Sequence, residues 1–85
     1  MNRLGYKFLG EEKVLEAIEV FKINVKEFPE SSNVYDSLGE AYMVNGDTEL
    51  SIENYQKSVE LNPNNRNGIN ALKRLKEKSS SKANK

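Results

Sequence analysis

The sequence predicts an all-α fold in which two helical hairpins stack side by side and a lone C-terminal helix closes the stack. Two observations predict it. The chain resembles itself at an offset of 34 residues: Met1, Leu4, Gly5, Phe8, Ala17, Phe21 and Pro29 recur in size or chemistry as Tyr35, Leu38, Gly39, Tyr42, Ser51, Tyr55 and Pro63. A fixed period of this length marks a repeat architecture, in which each unit buries its apolar face against its neighbour. Helix punctuation falls at matching places. Asn45-Gly46-Asp47 reads as a helix stop followed by a start, with Gly46 suited to the left-handed C′ position and Asp47 to the N-cap. Pro29 and Pro63 end the second helix of each unit.

The resulting helices are 2–10, 13–27, 33–45, 48–61 and 66–78. They form one domain over 1–78, with a first repeat at about 1–31, a second at about 32–65 and a capping helix at about 66–78; residues 79–85 read as a disordered tail. Within the second unit, Leu38-Gly39 and Tyr42 share one helical face, and the bare Gly39 admits the partner helix with its Ser51 and Tyr55. Gly5 and Phe8 should meet Ala17 and Phe21 in the same way. The fifth helix departs from the register, with Lys73 where Gly39 stood and Lys76 where Tyr42 stood. Such a face stays wet, so Ile69, Leu72 and Leu75 are expected to cover the second repeat while the other side faces water.

The period and the run Ser32-Asn33-Val34-Tyr35-Asp36-Ser37-Leu38-Gly39-Glu40-Ala41-Tyr42, closing at Asn62-Pro63-Asn64-Asn65, resemble the tetratricopeptide repeat (TPR) family. The resemblance implies a right-handed superhelical stack whose first helices line a concave groove that accepts a peptide or partner protein. Registered on that pattern, the groove is lined by Asn2, Tyr6 and Leu9, then Asn33, Asp36, Glu40 and Met43, then Asn70 and Arg74. Some family members grip a C-terminal carboxylate with Lys and Asn. Here Asp36 and Glu40 would repel one, so a neutral or basic segment is expected.

Composition excludes much else. The chain has no histidine and no cysteine, which removes disulfides, thiolate zinc sites and imidazole bases. No phosphate loop or perturbed carboxylate pair is evident, and Ser79-Ser80-Ser81-Lys82 is a chance match to a Ser-x-x-Lys motif in a serine-rich tail. The sequence therefore reads as non-catalytic and without a cofactor or metal. Thirteen basic residues balance thirteen acidic ones, although residues 66–85 carry seven cations and only Glu77 against them. With no aromatic interleaved among those cations, nucleic acid is not the expected partner. No apolar run is long enough for a membrane.

The helix 13–27 is unusual in being apolar on its back as well, through Leu15, Val20 and Ile23, where the second unit has Glu49, Asn54 and Lys57. That back is expected to self-associate or to dock on a preceding domain. The first unit opens three positions short of a full repeat, which suggests a chain cut from a longer one. The stretch from Asn24 to Ser31 running into Tyr35–Tyr42 is similar to TPR tails appended to bacterial serine hydrolases of the β-lactamase and esterase type. That resemblance implies the alternative function of an accessory or oligomerisation module.

Overall fold

The computed structural model describes residues 3–83, with side chains described for 5–7 and 9–77. Five helices follow one another: α1 Arg3–Gly10, α2 Val14–Glu27, α3 Ser32–Asn45, α4 Thr48–Leu61 and α5 Arg66–Ala83. Each packs on the next in the chain. Starts agree with the sequence reading to within one residue.

The punctuation works as chemistry dictates. Gly46 adopts the left-handed conformation at φ +87°, and the N–H groups of Gly46 and Asp47 donate to the carbonyls of Met43 and Tyr42 at 3.1 and 2.9 Å. That pattern satisfies the orphan carbonyls at the end of α3. Helices α2 and α4 each stop two residues before Pro29 and Pro63. Asp47 occupies the N-cap position of α4, but its side chain makes no capping bond. Its carboxylate instead accepts a bond from Asn45 Nδ2 at 2.7 Å. At the head of α5 the side chain does cap: Gly68 N–H donates to Asn65 Oδ1 at 3.2 Å.

The repeat shows most directly where glycine meets an aromatic ring. A side chain on Gly5 would run into the ring of Phe21, and a Cβ on Gly39 would lie 3.0–3.1 Å from the ring of Tyr55. Both rings are buried, so neither hairpin has room for even a methyl group there. Ser51, fully buried beside Tyr55, donates to the Gly39 carbonyl at 2.7 Å. Ser58 donates to the Ser32 carbonyl at 2.9 Å and accepts from Asn65 Nδ2 at 2.7 Å, tying α4 to both of its neighbours.

Two apolar clusters result. Ala17, Ile18 and Phe21 of α2 meet Leu38 and Ala41 of α3, with Leu9, Val14, Val25 and Tyr42 packed around them. Tyr55 of α4 meets Ala71 and Leu75 of α5, with Ile52 and Leu72 beside them. The side chain of Phe8 lies outside the described residues.

Two expectations for α5 need correction. Its inward face is Gly68, Ala71 and Leu75, with Leu72 half-buried, whereas Ile69 is 40 % exposed. The 34-residue register explains this, because Gly68, Ala71, Leu72 and Leu75 follow the buried Val34, Ser37, Leu38 and Ala41. Ile69 follows Tyr35, itself only half-buried, with its hydroxyl donating to the Pro29 carbonyl. The helix also continues to Ala83, so residues 79–83 are not the structureless tail expected from composition. No Gly or Pro follows Gly68, and Lys, Glu, Ser and Ala all extend a helix at small cost. Residues 84 and 85 lie outside the described part.

Candidate functional site

The first helices of the two hairpins and the closing helix share one face, joined there by polar side chains. From α1, the Tyr6 hydroxyl lies 2.9 Å from Ser37 Oγ and donates to Glu40 Oε1 at 3.3 Å, both on α3. The Tyr6 ring also meets the edge of Phe21, with centroids 5.1 Å apart and planes at 65°. From α5, Asn67 Nδ2 donates to Asp36 Oδ2 at 3.0 Å. Asp36 is thus held by one oxygen; its other oxygen, Oδ1, is buried without a hydrogen-bond partner among the described residues.

Several of the residues expected from sequence come together here. Tyr6, Asp36 and Glu40 lie within one bonded constellation that reaches α5. Asn33, Met43 and Arg74 are exposed. Leu9 is half-buried and packs against the first apolar cluster, so it is more core than groove wall. Asn70 is exposed and lines a recess with Pro63, Asn64, Arg66 and Ile69. The asparagine that reaches α3 is Asn67, one register position after Asn33, and sequence reasoning missed it together with Ser37. The signal was present, since Asn33 and Asn67 are 34 residues apart. Asn2 lies outside the described residues.

The field of this face is negative. Burial raises the Tyr6 phenol above its ordinary value, the Ser37 hydrogen bond opposes the rise, and the carboxylates of Glu40 and Asp36 add to it. Tyr55, beneath the face, is pushed up strongly, first by burial and then by Asp36 and Glu40, with Arg74 acting weakly the other way. Linkage gives the sign. The folded chain holds these protons more tightly than the unfolded chain, whose tyrosines ionise near pH 10. Stability from the buried Tyr55 phenol is therefore intact below pH 10 and is lost as pH rises beyond it, by up to about 1.4 kcal/mol per pH unit. Urea midpoints measured from pH 8 to 12 should fall steeply above 10, and Tyr55→Phe should flatten that fall. An equal slope in the variant would contradict this assignment.

No group of three or more metal-ligating side chains occurs among the described residues, and no described helix is long and apolar enough to cross a membrane. The face is polar, built from the Tyr6 hydroxyl, Ser37, Asp36, Glu40 and Asn67.

Residues 32–65, which contain Asp36, Glu40 and the Gly39–Tyr55 contact, match the family model of the tetratricopeptide repeat. The fold is that of a TPR stack. Superposed over 98% of this chain and 92% of the other, it is similar to the first TPR domain of the human RPAP3 protein, solved by NMR, with a TM-score of 0.59 and 19% identity. No curated protein matches the chain. The matched residues 32–65 span α3 and α4, with α2 packed on α3 and α5 packed on α4. TPR domains generally mediate protein–protein interaction, and the matched family is not an enzymatic one.

Proposed function

We propose that this chain is a non-catalytic module that binds a neutral or basic segment of a protein across the face formed by α1, α3 and α5. The observation that carries the reading is the placement of Asp36 and Glu40, on the middle helix, between Tyr6 of α1 and Asn67 of α5. A cationic side chain lying there would find the carboxylates of Asp36 and Glu40, both half-buried on α3. Tyr6 supplies a ring that is 41 % exposed and already fixed at its hydroxyl, which limits the entropy lost on binding. Arg74, Met43 and Asn33, which the repeat register puts on the same groove, are exposed.

Selection from a random peptide library should enrich Lys and Arg over Asp and Glu. Replacing both acids (Asp36→Lys with Glu40→Lys) should weaken a selected basic peptide by about tenfold or more and should shift selection toward acidic sequences. Wild-type binding should weaken as salt is raised. Selection without any charge preference would contradict the reading. A second reading, an accessory or oligomerisation module, is favoured by the exposed apolar side chains on the back of α2.

A further inference from the structure

We propose that the back of α2 is a self-complementary surface on which a second copy of this chain docks, antiparallel and related by a two-fold axis. At 100° per residue the core side of α2 carries Ala17, Ile18, Phe21 and Asn24, and the opposite side carries Leu15, Glu19, Ile23 and Lys26. Leu15 and Ile23 stand 65 % and 57 % exposed, among the largest apolar exposures on the molecule. Val20 does not belong to this surface as the sequence suggested; it is half-buried at the flank of the helix.

The surface has a knob at one end and a hollow at the other. Leu15 protrudes near the start of α2. About 12 Å further along, at 1.5 Å per residue, lies a largely apolar recess of ≈ 460 Å³ lined by Glu19, Lys22, Ile23, Val25, Lys26 and Leu38. Knob and hollow on one helix fit another copy reciprocally only when the two helices run in opposite directions. Each Leu15 then enters the other copy's recess, which is the isologous geometry of a closed dimer.

The charges select the same arrangement. Glu11, Glu12, Glu16 and Glu19 with one lysine, Lys13, precede the midpoint, and Lys22 and Lys26 follow it with Glu27 at the very end. With Leu15 opposite the recess around Ile23, an antiparallel pair sets Glu16 and Glu12 of one copy against Lys22 and Lys26 of the other and brings the two Glu19 side chains together at the axis. A parallel pair sets like against like throughout. The existing Lys22–Glu19 pair, 3.6 Å apart and well exposed, holds neither side chain firmly enough to prevent exchange. A helix of 14 residues is about 21 Å long, so the contact is smaller than a standard interface and the dimer should be weak and rapidly exchanging.

Sedimentation equilibrium from micromolar to millimolar concentration tests this. The mass should move from 9.7 kDa toward twice that value and level there, and added salt should oppose the shift. Leu15→Glu and Ile23→Glu should each remain monomeric with unchanged far-ultraviolet circular dichroism. A charge-swapped pair keeps the test independent of those apolar positions. Glu16→Lys with Glu19→Lys, and Lys22→Glu with Lys26→Glu, should each be monomeric alone, and a mixture of the two should form a heterodimer. A wild-type mass fixed at 9.7 kDa, growth beyond a dimer, or a mixture that stays monomeric would overturn the proposal.

Discussion

Phe21→Ala is expected to remove most of the stability of the chain. Phe21 is fully buried, its ring closes the gap left by Gly5, and Tyr6 packs against its edge. It is also part of the cluster in which α2 meets α3, so its loss opens both sides of the first repeat. A buried Phe→Ala change costs about 3–5 kcal/mol, and a fold of this size holds on the order of 5 kcal/mol in total. The melting temperature should fall by roughly 12 °C or more, since each kcal/mol moves a small domain by about 4–8 °C. Circular dichroism during thermal unfolding would read this; a shift of only a few degrees would show that Phe21 is not the keystone of the first repeat.

A substitution at Gly39 should be nearly as damaging, and its control has the opposite sign. Gly39→Leu would force a branched side chain into space already held by Tyr55, which is 2 % exposed and bounded by Ala71 and Leu75. Overpacking of this kind costs about 1–3 kcal/mol, and with no direction open to the ring the upper end applies. Because Gly39 lies one residue before Glu40, the same change should also disturb the binding face. Gly10→Ala meets nothing within 4 Å and needs no positive φ, so it should stabilise by about 0.5–1 kcal/mol through helix propensity and a less flexible unfolded chain. Urea denaturation of the two variants beside the wild type measures both. Equal effects at Gly10 and Gly39 would mean that close helix approach does not decide the role of Gly39.

These predictions rest on positions that were legible in the sequence because the physics behind them is local or periodic. Glycine opposite an aromatic ring recurs at a fixed step, and Gly46 and the two prolines mark ends whatever surrounds them. What was not legible depended on rotation about a helix axis. Ile69 looked like a core residue by its chemistry, but besides Leu75 the inward positions of α5 are held by Gly68 and Ala71, small residues that carry little hydrophobic signal. They are small because α4 approaches closely there: a Cβ on Gly68 would sit 3.1 Å from Val59 Cγ2. The same rotation puts Asn67, rather than Asn70, beside Asp36. On α3 the sequence identified the acidic pair but not Ser37, whose role depends on the reach of Tyr6 from another helix. The end of α5 was misjudged because a composition poor in apolar residues says little about helix formation when no breaker is present.

The proposed function requires α1, α3 and α5 to present one acidic face to a partner. Titration of the isotope-labelled chain with a selected basic peptide, followed by amide NMR, tests it most directly. Shifts should concentrate at Tyr6, Asp36, Ser37, Glu40, Asn67 and Arg74, and should shrink when Asp36→Asn and Glu40→Gln are combined. Shifts centred on Leu15, Lys22 and Ile23 of α2, with the acidic face unmoved, would contradict it.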